Sequence, residues 1–284
     1  MSDNSVRIAV FGKTGAGKTS FINCAAAASL KVGDGGDSVT KKIQRVNVPP
    51  HKVGGRRVIL IDTPGFNDTN LEDADLFLEI VDWLAGSHQN GEALNGAIFL
   101  QGINEVRVLQ GEKDGVKLFQ HMVGATAFPQ VVVVTTMWDK VEQDFGARNE
   151  QNRAEVWRDL RTRGAKLRRF YNTEDSALEI VGGCLEFPQT RLLLQQELID
   201  NNGRVRRTSA AEFLRSSLGV KIRDIQRQII FVGSNRTLTE IMDTMRGWLR
   251  KLRRAAIRLR ASAWVPLTVV GMAVRVWVWE MQAI

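Results

Sequence analysis

The sequence predicts a three-layer α/β domain with a mostly parallel central sheet, followed by a helical C-terminal extension. Short apolar segments with strand propensity alternate with amphipathic helices along the first two thirds of the chain. A glycine-rich loop joins the first strand to the first helix, and a later strand ends in Asp-Thr-Pro-Gly. These three observations indicate a sheet covered on both faces, with functional loops at the ends of its strands.

The composition is that of a globular protein, with 284 residues, 44% hydrophobic and 25% charged. Two cysteines, Cys24 and Cys184, are too few for a disulfide framework, and the first residues lack the apolar core of a signal peptide. A cytoplasmic location is therefore expected. The three histidines are scattered and show no metal-ligand spacing.

The glycine-rich loop follows the apolar strand 6–11 and precedes the helix 20–28. Its sequence, G-K-T-G-A-G-K-T, matches the phosphate-binding pattern G-x-x-x-x-G-K-[ST]. Lys18 is expected to bridge the β- and γ-phosphates, and the Thr19 hydroxyl to bind the magnesium ion that they share. The residues expected to contact the nucleotide here are Gly12, Lys13, Thr14, Gly15, Ala16, Gly17, Lys18, Thr19 and Ser20.

Periodicity predicts the elements that follow. They are strand 41–48, strand 57–61, helix 71–85, strand 96–100, helix 111–123, strand 131–135, helix 147–162, strand 166–170 and helix 177–185. The tetrapeptide Asp62-Thr63-Pro64-Gly65 directly follows the strand 57–61. Asp62 can hold magnesium through a water molecule, and the Gly65 N–H can reach the γ-phosphate because no side chain intervenes.

Two segments together carry a family resemblance. G-K-T-G-A-G-K-T-S-F-I-N and D-T-P-G-F-N-D-T resemble the septin-like group of translation-factor-related GTPases, which includes immunity-associated GTPases and chloroplast protein-import receptors. Fungal proteins that carry a G domain are expected to be the most similar. The resemblance covers residues 6–185 and implies a P-loop NTPase G domain that binds GTP or GDP with Mg²⁺. In such GTPases the loop 30–40 offers magnesium a hydroxyl, for which Thr40 is favoured over Ser38.

The resemblance also indicates how the base is read. The segment Thr136-Met137-Trp138-Asp139 lies where these GTPases carry Asn-Lys-x-Asp or Thr-Lys-x-Asp. A carboxylate at Asp139 can accept from guanine N1–H and the exocyclic amine, which adenine does not offer as a pair. Met137 replaces the family's lysine, so ATP stays an alternative. Asn172 is the expected contact from the last base loop, with Ser176-Ala177 as the alternative.

The sequence indicates slow GTP hydrolysis. Phe66 stands where small signalling GTPases carry a water-orienting glutamine, whereas Lys18, Thr40 and Gly65 are the expected catalytic residues. The group that orients the attacking water would come from a second copy of this chain, in a homodimer formed through the G domain, or from an activating protein. Its candidates within this chain are Arg107, Lys13 and Asn67. The expected role is a nucleotide-controlled switch or self-assembling scaffold, with an inactive interaction module or an ATP-using enzyme as alternatives.

The expected domains are a G domain at 1–186, a helical extension at 187–260 and an apolar tail at 261–284. The extension contains predicted helices at 188–200, 209–232 and 237–260. Much of the net charge of +8 lies in the last of these, whose arginines suit an anionic membrane surface. The tail either associates with that membrane, packs in a soluble core or stays unfolded; nucleic acid is not an expected partner because aromatic residues do not alternate with the charges.

Overall fold

The computed structural model describes residues 4–30, 43–65, 73–89, 92–233, 247 and 249–258. Its strands are β1 (Val6–Gly12), β2 (Gln44–Val48), β3 (Val58–Asp62), β4 (Gly96–Gly102), β5 (Val131–Thr136) and β6 (Lys166–Arg169). Its helices are α1 (Lys18–Ala26), α2 (Asp73–Gln89), α3 (Gln110–Val123), α4 (Gln143–Arg153), α5 (Arg158–Thr162), α6 (Glu174–Gly182), α7 (Leu193–Asp200) and α8 (Ser209–Gly233). Residues 249–258 are also helical.

The strands form one six-stranded sheet in the order β2-β3-β1-β4-β5-β6. All neighbouring pairs are parallel except β2 and β3, which are antiparallel. Strands β1 and β5 are buried along their whole length, which explains why their sequences are nearly continuous apolar runs. Because parallel strands point the same way, the loops after β1, β3, β4, β5 and β6 gather at one edge of the sheet.

Helices cover both faces of the sheet and complete the three predicted layers. On one face Phe11, Phe99 and Phe119 pack together, with ring centroids of the two pairs at 5.3 and 4.8 Å. On the other face α1 packs against α6, and Phe21 meets Phe170 edge-on at 5.3 Å. The predicted fold class is therefore confirmed.

The helical C-terminal region packs on the first of these faces. Helices α7 and α8 contact α3, and their buried leucines, Leu194, Leu198, Leu214 and Leu218, join the same apolar cluster as Phe119. Leu252 and Ala255 of the helical segment 249–258 are buried in that cluster too. The described part of the extension thus shares a continuous core with the sheet.

Helix ends are shifted by up to four residues in α2 and α6, and two other predicted helices differ more substantially from the structure. The helix predicted at 147–162 is two helices, α4 and α5, because the chain turns through 154–157 and buries the Trp157 ring completely. The helix predicted from residue 188 begins at Leu193, since the Thr190 N–H pairs with the Leu94 carbonyl at 2.7 Å. The Gln195 side chain then accepts from the Leu192 N–H at 3.0 Å and caps α7.

Candidate functional site

The loop 13–17 lies at the carboxyl end of β1. Gly12 has φ 145°, and a Cβ there would lie 2.5 Å from the Leu100 carbonyl oxygen, so the chain runs against β4 too closely for any side chain. The loop then turns, with the Ala16 N–H donating to the Lys13 carbonyl at 3.0 Å. Gly17 precedes α1 and provides no side-chain cap, so the first turn of α1 has N–H groups suited to an anion.

Lys18 lies beneath this loop and is 7% exposed. Its ammonium donates to the carbonyls of Gly12 and Lys13 at 3.1 and 3.0 Å. Burial lowers the pKa of Lys18 to about 8, while the nearby Asp62 carboxylate acts in the opposite direction. A negatively charged ligand in the loop would favour the charged ammonium. Thr19 and Ser20, both partly buried, form the first turn of α1.

The Asp-Thr-Pro-Gly segment packs directly on the glycine-rich loop. Asp62 ends β3 and is 1% exposed, and the Thr63 hydroxyl donates to the Val10 carbonyl at 2.7 Å, which holds the turn against β1. The Thr14 hydroxyl donates to the Gly65 carbonyl at 3.1 Å. A Cβ on Gly65 would lie 2.6 Å from both the Lys18 ammonium and the Thr14 nitrogen. The two motifs, about fifty residues apart, therefore form one contiguous surface.

The segment after β5 is tied to the same loop. The buried Thr136 hydroxyl donates to the Ala16 carbonyl at 2.8 Å, and Met137 adopts a left-handed conformation with φ 68°. Asp139 is exposed on the short 3₁₀ turn that follows. The Asn172 amide, on the turn after β6, donates to the Asp139 carboxylate at 3.2 Å. The structure thus brings Thr136, Asp139 and Asn172 to the same edge as the phosphate loop.

The alternative base contact, Ser176-Ala177, has a different place. Ser176 lies in the first turn of α6, where its hydroxyl donates to the Thr173 carbonyl at 3.0 Å and accepts from the Tyr171 N–H at 3.2 Å. Ala177 is fully buried. Ser176 therefore shapes the turn that presents Asn172, and neither residue lies beside Asp139 in the described contacts.

Two groups of site-supporting residues were missed by the sequence analysis. Glu150 on α4 pairs with Arg169 at the end of β6, and Arg153 on the same helix is completely buried. Arg153 donates to the Glu105 carbonyl at 2.8 Å and to the Glu112 carboxylate at 3.2 Å, and burial raises the pKa of Glu112. No motif marks these residues, because charged residues on a helix are usually solvated.

The remaining predicted residues are Arg107 and four residues that the structure does not describe. Arg107 is exposed on the loop that follows β4. Thr40 and Ser38, expected at the magnesium ion, lie outside the described residues, as do Phe66 and Asn67.

The residues present fit a magnesium nucleotide. A cradle that admits no side chain at Gly12 or Gly65, with a buried ammonium beneath it, suits a polyphosphate. The Thr19 hydroxyl and the Asp62 carboxylate are oxygen groups of the kind that Mg²⁺ prefers as ligands. When bound, the ion would neutralise charge on the β- and γ-phosphates.

Solved structures share this fold. Toc33 from Arabidopsis thaliana, determined with Mg²⁺ and GMPPNP, aligns with a TM-score of 0.51 at 15% identity, covering 65% of this chain and 84% of Toc33. Its complex with GDP and Mg²⁺ gives the same values. A structure from work on dimerization in the GTPase activity of the chloroplast translocon components atToc33 and psToc159 aligns with a TM-score of 0.52 at 15% identity, covering 66% and 86%.

These identities establish the similarity of the fold alone. No curated protein sequence matches the chain. The sequence model of the AIG1 family matches residues 6–163, which is more than half of the chain and includes the glycine-rich loop, Asp-Thr-Pro-Gly and the segment that ends in Asp139. The chain therefore belongs to the AIG1 family.

Proposed function

We propose that this AIG1-family G domain, a guanine-nucleotide-binding protein, hydrolyses GTP slowly and acts as a nucleotide-controlled switch or self-assembling scaffold. One observation carries the proposal. The Thr136 hydroxyl bonds to Ala16 in the phosphate loop, and Asp139, three residues later, is held by Asn172. A carboxylate that can select guanine is thereby connected to a loop that can hold phosphates.

Each half of the site has a defined role in this proposal. The loop 12–17 and Lys18 hold the phosphates, while Thr19, Asp62 and Thr40 hold the magnesium ion. Gly65 donates its N–H to the γ-phosphate, so its position responds to whether GTP or GDP is bound. Asp139 accepts from the guanine N1–H and amine, with Asn172 orienting the carboxylate.

Slow hydrolysis follows from the sequence after Gly65. Phe66 cannot orient a water molecule by hydrogen bonding, so a group from elsewhere must do so. Homodimerization through the G domain is the favoured source, since dimerization is described as important for the GTPase activity of atToc33 and psToc159. Arg107, exposed on the loop after β4, is the candidate chosen for testing, with Lys13 and Asn67 as the other candidates.

Nucleotide binding is tested with the purified full chain and fluorescent GTP, GDP and ATP analogues in magnesium. Lys18→Ala should lose all binding, whereas Asp139→Asn should lose guanine preference and gain affinity for xanthine nucleotides, whose 2-oxo group accepts from the new amide. Equal affinity of the wild-type chain for GTP and ATP would support the ATP-using alternative instead.

Hydrolysis is tested by measuring turnover per protomer over a wide range of protein concentration. A rate that rises with concentration and is lost in Arg107→Ala supports catalysis by the dimer. A fast rate that is constant on dilution contradicts it, and no turnover despite guanine binding would indicate a static interaction module. Lys113→Ala, a change in a neighbouring cation on α3, is the matched control.

Membrane association is a second proposal, favoured by the helical segment 249–258. Leu252 and Ala255 bury its inner side, while Arg250, Lys251, Arg253 and Arg254 are exposed on its outer side. Such a cationic face suits anionic lipid headgroups. In the described part of the chain, no helix has the length and apolarity needed to cross a membrane.

Two further expectations from the sequence stay predictions. They are location in the cytoplasm and similarity to fungal proteins that carry a G domain.

Membrane binding by the cationic face is tested by sedimentation of the full chain with vesicles of phosphatidylserine and phosphatidylcholine. Changing Arg250, Lys251, Arg253 and Arg254 together to glutamine should abolish binding, while the same vesicles without phosphatidylserine should bind neither form. Binding that persists in the variant would assign the contact to residues 261–284 instead.

A further inference from the structure

A side-chain network joins the two loops that carry Asp139 and Asn172. At its centre is Arg169, at the end of β6, whose Nε and Nη2 donate to the Glu150 carboxylate at 3.1 and 2.5 Å. The same guanidinium lies 4.3 Å from the centre of the Trp138 ring, and the Trp138 ring lies beside the Tyr171 ring. One arginine therefore contacts a carboxylate and the first of two neighbouring aromatic residues.

The two aromatic residues directly precede the two proposed base-reading residues. Trp138 is followed by Asp139, and Tyr171 by Asn172. The rings of Trp138 and Tyr171 are 6.0 Å apart, so the loop after β5 meets the loop after β6 at this point. Any change in the position of either ring would move the residue beside it.

The network is closed on its inner side. The Trp138 indole donates to the Thr135 hydroxyl at 3.0 Å, and this hydroxyl donates to the Glu150 carboxylate at 2.8 Å. Trp138, Thr135 and Glu150 are all buried. Glu150 thus holds Arg169 and, through Thr135, the indole on which Arg169 lies. Buried and satisfied hydrogen bonds, such as those on this inner side, restrict side chains to one arrangement.

We propose that Arg169, held by Glu150, is a positioning residue for guanine selectivity. It fixes the loop of Asp139 relative to the loop of Asn172, so that the carboxylate meets guanine without further ordering. This role compensates for Met137, which stands where related GTPases carry a lysine that supports the base. The inference rests on the proposed function, because it concerns the same base site.

The test uses the full chain and compares GDP with inosine diphosphate, which lacks the exocyclic amine. Arg169→Met should lower the ratio of GDP to inosine diphosphate affinity by about threefold to tenfold, because a misplaced carboxylate loses the amine contact. Glu150→Gln should lower the ratio in the same direction. Arg163→Met removes an exposed arginine paired with Asp159 and, as the matched control, should leave the ratio unchanged.

Arg169→Lys provides a milder second variant. Lysine retains the charge but not the planar guanidinium, so the ratio should lie between those of the wild type and Arg169→Met. If Arg169→Met fails to fold, the affinity ratio of Arg169→Lys tests the inference, and a ratio equal to that of the wild type would contradict it.

An unchanged ratio, or an equal loss of affinity for both nucleotides, would overturn the inference and assign the network a merely structural role. A wild-type chain that does not distinguish GDP from ADP would instead overturn the proposed function, and this inference with it. A wild-type chain that prefers GDP to ADP but binds inosine diphosphate equally well would overturn the inference alone.

Discussion

The proposed site has a phosphate half, formed by residues 12–20 and 62–65, and a base half, formed by residues 136–139 and Asn172. The two halves are built differently. In the phosphate half, contiguous backbone forms the cradle, and Gly12 and Gly65 lie where a Cβ would contact other atoms at 2.5 and 2.6 Å. In the base half, Asp139 and Asn172 depend on side chains from α4, β5 and β6. The comparison shows that a site made of contiguous backbone is marked by a sequence motif, whereas a site supported by side-chain contacts between distant elements is not.

Adding one methyl group to the phosphate half should have the largest effect. Gly12→Ala places a Cβ 2.5 Å from the Leu100 carbonyl at φ 145°, and should lower the free energy of unfolding by about 2–4 kcal/mol. Urea denaturation of the full chain measures it. Gly15→Ala is the control, because it has φ 78° but no atom within 4 Å, and should cost about 1–2 kcal/mol. Equal losses in the two variants would contradict the close approach at Gly12.

Cutting the connection between the halves should have the next largest effect. Thr136→Val removes the buried hydroxyl that donates to the Ala16 carbonyl, which should cost about 1–2 kcal/mol of stability. Thermal unfolding of the variant measures this loss. Thr162→Val, which removes an exposed hydroxyl bonded to the Asp159 carbonyl, should change stability far less. If Thr136→Val were as mild as Thr162→Val, the two halves would be independent.

A pH titration should distinguish the phosphate half by its buried ammonium. Lys18 has a pKa lowered to about 8, so its charged form is present below that pH and is lost above it. GDP affinity should therefore be steady up to about pH 8 and then fall, approaching tenfold per pH unit. Isothermal titration calorimetry from about pH 7 to about pH 9 measures it. The side chain in Lys18→Arg stays charged, so GDP affinity of this variant should not fall. If affinity fell equally in both proteins, the cause would be deprotonation of the guanine and not of Lys18.

Restoring the lysine of the base motif should have the smallest effect. Met137→Lys adds an ammonium and an extended stem beside the phosphate loop, and should raise GDP affinity by about twofold to fivefold. Competition binding against a fluorescent GDP analogue measures the change. In an Arg169→Met background the gain should be larger, because the network of Arg169 then no longer positions the base loops. No gain in either background would mean that Met137 supports the base as well as lysine does.

The sequence by itself determined the layered fold and most of the order of its elements, and it marked the glycine-rich loop and the Asp-Thr-Pro-Gly segment that the structure places together. Apolar periodicity marks strands and helices within a few neighbouring residues, and the phosphate cradle lies within one continuous loop, so local pattern is sufficient for both. The contact of Gly65 with that loop follows because β1 and β3 are adjacent parallel strands ending at the same edge.

Only the tertiary structure decided how the base half is supported. The break between α4 and α5 depends on the core space that Trp157 fills, and the presentation of Asn172 depends on the hydrogen bonds of Ser176. Glu150, Arg153 and Arg169 look like solvated charges in the sequence, yet their partners lie on other elements. Such contacts join residues that are distant in the chain, and periodicity carries no information about which distant residue a side chain will meet.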